Sequence, residues 1–181
     1  MNPKIAILRG INVGGRRRIL MADLKLLLKN LGFQNLKTYI QSGNVLFDTN
    51  ESLTNIEIAD RVEKAILDKY GFVVPVVVID AKNLEELVEN NPFYKQKEVD
   101  ITRLHLTFLK EKPSQDNYLK ATSYSFEPDK FVIQDKAVFI FCAGKYHQSK
   151  LTNTFFEKKL QVAASTRNWK TVLKLVALSQ T

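Results

Sequence analysis

A glycine- and arginine-rich segment follows the first apolar run of the chain. Three glycines and four arginines lie within residues 9–18, namely Gly10, Gly14, Gly15, Arg9, Arg16, Arg17 and Arg18. Glycines permit positive φ angles and close approach of the backbone, and guanidinium groups bind phosphate and carboxylate. The segment departs from the G-x-x-x-x-G-K-S/T motif, because arginines stand where that motif requires lysine and a hydroxyl. The pattern predicts either an anion site or a flexible connection with solvated arginines.

A second candidate stretch is STRNWKT, residues 165–171, which leads into an amphipathic run. Thr166 or Asn168 is a suitable N-cap for a helix there, and the exposed amides of a helix start attract anions. Arg167 is predicted at that positive end, where the helix dipole disfavours a cation by up to about 1 kcal/mol. A residue that breaks a local rule points to a functional site. The alternative is that Arg167 simply extends into water.

The segment GKYHQSK is the best place in the sequence for acid–base chemistry. Its polar side chains precede a predicted helix and belong to Lys145, Tyr146, His147, Ser149 and Lys150. Neither His147 nor His105, which alternates within a predicted strand, belongs to a recognisable nucleophile motif. The sequence therefore assigns no catalytic residue.

The single cysteine, Cys142, lies in an apolar strand and is expected to be a buried, inert thiol. A lone cysteine excludes an internal disulfide framework, which favours a reducing, cytoplasmic location. Cysteines and histidines with metal-ligand spacing are missing from the sequence, so we predict no metal site. The identity of any cofactor does not follow from the residues.

Hydropathy predicts neither a signal peptide nor a membrane span. The first apolar run holds only four residues before Arg9, which is too short for a signal peptide. The longest run, FVVPVVVI at residues 72–79, contains Pro75, whereas a membrane helix needs about 20 apolar residues. A chain of 181 residues with 45% apolar content has enough to bury one core or two small ones.

The net charge of +8 is unevenly distributed along the chain. Residues 1–45 hold eight Lys and Arg against one acid, and residues 145–181 hold seven against one. The middle of the chain is acidic. Two basic ends predict a localised anion-facing surface if the ends meet in space, and the alternative is two solvated basic faces.

Apolar spacing in the first 80 residues predicts the order βαββαβ. KIAILRG is a strand, MADLKLLLKNLG a helix, LKTYIQ and NVLFD a hairpin, TNIEIADRVEKAILDKYG a helix and FVVPVVVI a strand. Pro75 places the last strand at a sheet edge or interrupts it, because proline cannot donate a ladder hydrogen bond.

The same order recurs about a hundred residues later, which indicates a tandem duplication. We predict an α+β fold of two tandem ferredoxin-like (βαββαβ) plaits with a linker helix and a C-terminal helix. The predicted bounds are residues 1–80 for the first plait, 81–99 for the linker helix and loop, and 100–181 for the second plait with its C-terminal helix. The predicted central strands are apolar on both pleat faces, which favours sheets covered on both sides over a base-stacking surface.

Four blocks in this order resemble the bacterial domain-of-unknown-function family 1697: LRGINVGG (8–15), TYIQSGNVLF (38–47), NNPF (90–93) and TRNWKTVLKL (166–175). The resemblance implies two ferredoxin-like plaits and supplies no activity, substrate or catalytic residue. Its motif positions here are Arg9, Gly10, Asn12, Gly14, Gly15, Tyr39, Gln41, Ser42, Gly43, Asn44, Thr166, Arg167, Asn168 and Trp169. Ser42, Gly43 and Asn44 also suit a hairpin turn for conformational reasons alone.

Three functional hypotheses follow from these residues. The first is a cytoplasmic protein that binds an anionic, phosphate-bearing ligand, such as a nucleotide, another small molecule or nucleic acid. Its predicted ligand-binding residues are Arg9, Asn12, Gly14, Gly15, Arg16, Ser42, Asn44, Arg167 and Asn168. The second is an enzyme acting on a small phosphorylated or carboxylated substrate, with His147 or Tyr146 as acid or base. The third is a protein-interaction module without a ligand.

Overall fold

The computed structural model of the chain describes residues 3–50, 52–95 and 98–181. These residues form an α+β fold with two four-stranded antiparallel sheets and six α-helices. The chain divides into two compact units. The first contains the residues up to Leu84 together with Leu175–Thr181, and the second contains Glu85–Lys174. The predicted domain bounds, 1–80, 81–99 and 100–181, stay a prediction.

The first unit has the strand order β2-β3-β1-β4. Its elements are β1 (Lys4–Leu8), α1 (Met21–Asn30), β2 (Gln34–Tyr39), β3 (Asn44–Asp48), α2 (Asn55–Tyr70) and β4 (Val76–Asp80). The next helix, α3 (Ala81–Asn90), follows β4 directly and contains the division after Leu84. This helix occupies the place predicted for the linker helix.

Local signals explain where α2 begins and ends. Thr54 Oγ1 accepts a hydrogen bond from the Glu57 amide (3.2 Å), and the Glu57 carboxylate accepts one from the Thr54 amide (2.7 Å). This capping box satisfies two amides that have no partner inside the helix. Gly71 ends the helix in the left-handed region at φ 74°. The buried stripe of α2 comprises Ile58, Ala59, Val62 and Ile66.

The second unit repeats the element order of the first. Its elements are β5 (Leu104–Leu109), α4 (Gln115–Thr122), β6 (Lys130–Gln134), β7 (Ala137–Phe141), α5 (Asn153–Leu160) and β8 (Ala164–Asn168). The strand order is β6-β7-β5-β8. The last helix, α6 (Trp169–Ser179), starts in this unit, and the second division of the chain falls within it.

The central strands β1 and β5 are buried on both pleat faces. Every residue of β5 is buried, and only Lys4 of β1 is partly exposed. The aromatic side chains of Phe108 on β5, and of Phe47 and Phe139 on the neighbouring strands β3 and β7, are at most 1% exposed. These strands therefore offer no aromatic platform on which a base could stack, in line with the prediction of sheets covered on both sides.

Two element bounds differ from those predicted. The last strand of the first unit does not run through Pro75, because β4 begins at Val76 and the Pro75 carbonyl accepts a hydrogen bond from the Arg9 amide (2.9 Å). Strand β4 also lies at a sheet edge, so both alternatives predicted for Pro75, an edge strand and an interruption, are observed. In the second unit, Arg167 and Asn168 are the last residues of β8, where Arg167 pairs with Leu106. No helix within the described ranges has the length and apolar character needed to cross a membrane.

Candidate functional site

The glycine- and arginine-rich segment forms an ordered turn. The Arg16 amide donates to the Val13 carbonyl (3.1 Å), and the Asn12 amide donates to the Arg17 carbonyl (3.2 Å). The two central residues, Gly14 and Gly15, have φ angles of 58° and 74°. Positive φ at both central positions defines the type I′ turn that matches the twist of a hairpin, and glycine adopts it without steric cost. We call residues 12–18 the arginine turn.

Asn12 anchors the arginine turn to the body of the first unit. Its Nδ2 donates to the carbonyls of Ile19 (2.9 Å) and Gln41 (2.8 Å), and its Oδ1 accepts from the Ile19 amide (2.9 Å). Its own backbone is left-handed at φ 57°, a conformation that asparagine tolerates better than most residues. One side chain therefore closes the loop between β1 and α1 and ties it to the turn between β2 and β3.

The arginine turn carries three exposed arginines, of which Arg17 has its Nη1 3.4 Å from where a Cβ at Gly10 would lie. Arg16, Arg17 and Arg18 are exposed, and the structure shows none of them in an ion pair with a carboxylate of the described residues. A Cβ added at Gly14 or Gly15 would meet no atom within 4 Å, so the tip of the turn is open. Three neighbouring cations on a fixed backbone create a concentrated positive potential at this tip.

The turn between β2 and β3 packs against the end of β1 and against Ile11, directly before the arginine turn. The Gly43 carbonyl accepts a hydrogen bond from the Leu8 amide (2.8 Å). Gly43 has φ 80°, and a Cβ there would lie 2.7 Å from Ile11 Cδ1 and 2.8 Å from Leu8 Cβ. The buried Asn44 side chain donates to the Tyr39 carbonyl (3.0 Å) and to Ser42 Oγ (3.3 Å). Two of the sequence blocks thus meet at one place in the first unit.

The structure separates the predicted site residues into two groups. Arg9, Asn12, Gly14, Gly15, Arg16, Ser42 and Asn44 belong to the first unit, and Arg167 and Asn168 belong to the second. Within the first group, Asn12, Ser42 and Asn44 use their side chains to hold turns, whereas Gly14, Gly15 and Arg16 are exposed. Ligand contact by any of the nine residues stays a prediction.

Arg167 and Asn168 have defined contacts in the second unit. Asn168 Oδ1 accepts from the Thr171 amide (2.8 Å), so Asn168 rather than Thr166 caps the start of α6. Arg167 is half-buried, and its Nη1 donates to Ser165 Oγ (3.0 Å) and to the Thr166 carbonyl (2.9 Å). Burial lowers the pKa of Arg167 to about 10, and the guanidinium stays charged at neutral pH. Arg167 therefore does not simply extend into water.

A polar cluster in the second unit brings together residues that sequence spacing could not connect. The rings of His105 and Tyr146 stack with centroids 4.2 Å apart, and His105 Nδ1 is buried without a hydrogen-bond partner among the described residues. Thr107 Oγ1 and Thr166 Oγ1 are hydrogen-bonded (2.8 Å), and Thr166 Oγ1 donates to Asn153 Oδ1 (3.0 Å). Burial raises the pKa of Tyr146, and a hydrogen bond with Thr166 partly opposes this shift.

The other polar residues of GKYHQSK serve the structure or face solvent. Ser149 Oγ donates to Asp129 Oδ2 (2.5 Å), and Asp129 Oδ1 accepts from the Ala143 amide (2.9 Å). Lys145, His147 and Lys150 are exposed. Cys142 is a buried free thiol, as predicted, and burial raises its pKa. In residues 3–50, 52–95 and 98–181 no group of three His, Cys, Asp or Glu side chains is placed to hold a metal ion.

The buried imidazole of His105 gives a prediction for the pH dependence of stability. Burial lowers the pKa of His105 below its ordinary value of 6.5, and the nearby Arg103 backbone only partly opposes this shift. As pH falls from about 7.5 to 5, the unfolded chain takes up a proton before the folded chain does. The free energy of unfolding should therefore decrease over this range, as measured by urea denaturation.

Replacing His105 by Gln should flatten this dependence, because the proton-linked difference between the two states is removed. His147→Gln is the matched control, since that imidazole is exposed. An unchanged slope in the His105 variant, or the same flattening in the His147 variant, contradicts the assignment.

The fold defines an α+β protein with two four-stranded antiparallel sheets. Residues 1–139 match the family described as "Protein of unknown function (DUF1697)", and the chain belongs to this family. This match confirms the family resemblance, and the blocks at 8–15, 38–47 and 90–93 lie within the matched residues, whereas the block at 166–175 lies beyond them.

The structure is similar to that of the conserved bacterial protein SP0830 from Streptococcus pneumoniae. The TM-score is 0.78 and the sequence identity 22%, with 98% of each chain covered. At this identity the similarity shows a shared fold. No match was found among curated proteins.

Proposed function

We propose that the chain binds a phosphate-bearing anion, as a small molecule or as nucleic acid, at the arginine turn. The observation that supports the proposal is the exposure of Arg16, Arg17 and Arg18 on a backbone fixed by Asn12. Guanidinium groups form charge-assisted, bidentate hydrogen bonds with phosphate oxygens. A fixed backbone lowers the entropy lost when these side chains engage a ligand.

Within this proposal the residues of the first unit have two roles. Arg9 and the three turn arginines contact the anion, together with the open amides of Gly14 and Gly15. Asn12, Ser42 and Asn44 position the turn through their internal hydrogen bonds. The backbone of Arg17 supports a functional role, because φ 47° costs a non-glycine residue about 1–2 kcal/mol.

The proposal extends to Arg167 and Asn168 in the second unit. Arg167 lies two residues before Trp169, the first residue of α6, and the amides of a helix start attract anions. The guanidinium donates to two neutral acceptors, Ser165 Oγ (3.0 Å) and the Thr166 carbonyl (2.9 Å), which hold it beside β8.

We also propose that each unit is a ferredoxin-like plait and that the chain arose by tandem duplication. The common element order of the two units and their equivalent strand orders support this proposal. We place the domain bounds at residues 1–80, 81–99 and 100–181. A cytoplasmic location is proposed on the free, buried Cys142, which suits a reducing compartment.

A thermal-shift panel tests the binding proposal. The wild-type protein is compared with Arg16→Gln/Arg17→Gln/Arg18→Gln in the presence of nucleotides, phosphosugars, polyphosphate, short RNA and short DNA. A ligand at about a hundred times its Kd stabilises the folded state by about 2.7 kcal/mol, which is a clear shift in Tm. We expect at least one phosphate-bearing ligand to raise the wild-type Tm and to lose this effect in the triple variant.

The matched control removes the same charge from helices of the first unit, as Lys29→Gln/Lys64→Gln/Lys69→Gln. These three lysines are exposed and lie on α1 and α2. A ligand effect that is as large in the arginine variant as in wild type, or that is reduced equally in both variants, contradicts binding at the arginine turn.

The stacked pair His105 and Tyr146 favours a second candidate function, an enzyme acting on a small phosphorylated or carboxylated substrate. Tyr146 is only partly buried, and the unpartnered His105 Nδ1 lies within the same polar cluster. Tyr146 then acts as the acid or base in place of the exposed His147. Turnover of a ligand from the panel, abolished by Tyr146→Phe with binding retained, supports this candidate, and binding without turnover contradicts it.

A further inference from the structure

A cationic cavity in the second unit lies at the C-terminal ends of α4 and α5. It has a volume of about 420 Å³ and is lined by Lys120, Lys158, Lys159 and Tyr124, with three neutral polar residues. None of its lining residues is acidic. We call it the lysine pocket. The positive charges of the three lysines that line this cavity repel one another, and an anion bound there relieves this repulsion.

The helix-end carbonyls of this pocket are already bonded to neutral donors. This matters because lysines near a helix C-terminus commonly hydrogen-bond the last carbonyls. Here the bonds are Ser123 Oγ to Lys120 O (2.8 Å), Gln161 Nε2 to Lys158 O (2.6 Å) and Asn117 Nδ2 to Leu160 O (3.2 Å). The lysine ammonium groups are therefore not needed to satisfy these three carbonyls.

Lys159 and Tyr124 form a fixed pair at one side of the pocket. Lys159 Nζ lies 4.2 Å from the Tyr124 ring centroid and donates to Tyr124 Oη at 2.5 Å. The phenol oxygen accepts this bond, so its own hydrogen is directed to another acceptor. The ring is held by Phe155 through an edge contact with centroids 5.6 Å apart. The pair thus offers an oriented O–H donor beside an ammonium group.

We propose that the lysine pocket binds a phosphate group, either free phosphate or the phosphate of a small phosphomonoester. Lys120 and Lys158 are exposed, and within the described residues neither they nor Lys159 forms an ion pair with a carboxylate. A phosphate dianion has enough acceptor oxygens for two ammonium groups and the Tyr124 hydroxyl at once. This site is separate from the arginine turn, which lies in the other unit.

The test uses the full chain with the arginine turn neutralised by Arg16→Gln/Arg17→Gln/Arg18→Gln, so that any binding there does not contribute. Inorganic phosphate and glycerol phosphate are titrated separately, and the amide resonances of Ser123, Tyr124 and Gln161 are followed by NMR. We expect saturable shifts at these amides. Adding Lys120→Gln/Lys158→Gln should weaken the binding by about tenfold or more, because two charge-assisted bonds are lost.

The control for this variant is Lys130→Gln/Lys136→Gln, which removes the same charge from exposed positions of the second unit outside the pocket. Tyr124→Phe keeps the ring and should weaken binding several-fold if the hydroxyl donates to the ligand. Tighter binding of glycerol phosphate identifies a phosphomonoester site, and equal binding identifies the phosphate group alone as the ligand. Shifts that do not saturate for either ligand, or equal weakening by the control, overturn the proposal.

Discussion

Gly43→Ala is expected to lower the free energy of unfolding of the first unit by about 2–5 kcal/mol. The backbone at φ 80° costs an alanine about 1–2 kcal/mol, and steric overpacking in a filled core costs about 1–3 kcal/mol more. The overlap is with Ile11 Cδ1 at 2.7 Å and with Leu8 Cβ at 2.8 Å. Leu8 is held in β1, so it cannot move aside without disturbing the central strand. Urea denaturation of both proteins measures the difference.

Gly15→Ala separates the two causes of this destabilisation. Gly15 has nearly the same φ, 74°, but a Cβ there meets no atom within 4 Å. It should therefore cost only the conformational part, about 1–2 kcal/mol. Equal destabilisation by the two variants contradicts the packing of Gly43 described here.

Asn12→Ala is expected to release the arginine turn from the first unit. The variant loses three side-chain hydrogen bonds, each worth about 0.5–1.5 kcal/mol, and places alanine at φ 57°. The stability of the local structure should fall by about 2–4 kcal/mol. Hydrogen exchange measures this loss at the Ile19 amide, which donates to Asn12 Oδ1. The affinity of the Asn12→Ala variant for a phosphate-bearing ligand should also fall, because the proposed binding site is the arginine turn.

Asn12→Gly tests whether the side chain or the backbone angle matters more. Glycine adopts φ 57° without strain, so this variant removes only the hydrogen bonds. We expect most of the increase in Ile19 exchange to remain in Asn12→Gly. Wild-type exchange rates in Asn12→Gly are the outcome that contradicts the anchoring role of the asparagine side chain.

Element order was predictable because local signals agree with tertiary structure over most of the chain. Helix α2 has a 3.6-residue apolar stripe, while the Thr54–Glu57 capping box marks its start and Gly71 marks its end. The hairpin across Asp135 and Lys136 was equally clear, since two β-rich runs flank two turn residues. Because this pattern of apolar runs and turns recurs, the second unit has the same element order as the first.

The contacts that hold the candidate site were not predictable, because they join residues distant in sequence. Asn12, in the loop after β1, donates to the Gln41 carbonyl in the turn between β2 and β3, and no local propensity indicates that bond. His105 and Tyr146 come from different sequence segments and meet only through the pairing of β5 and β7 and the loop that follows. Arg167 was expected at a helix start, but pairing with β5 extends strand β8 through it. Tertiary strand pairing decided that position over the local helix signal.

The salt dependence of oligonucleotide binding tests the role of the arginine turn most directly. Affinity of a short single-stranded oligonucleotide is measured for wild type and for Arg16→Gln/Arg17→Gln/Arg18→Gln between about 50 and 200 mM salt. If the three guanidinium groups contact phosphates, the slope of log K against log salt should be shallower in the variant by about 2. Equal slopes, or no binding by wild type at about 50 mM salt, contradict nucleic-acid phosphate binding at this turn.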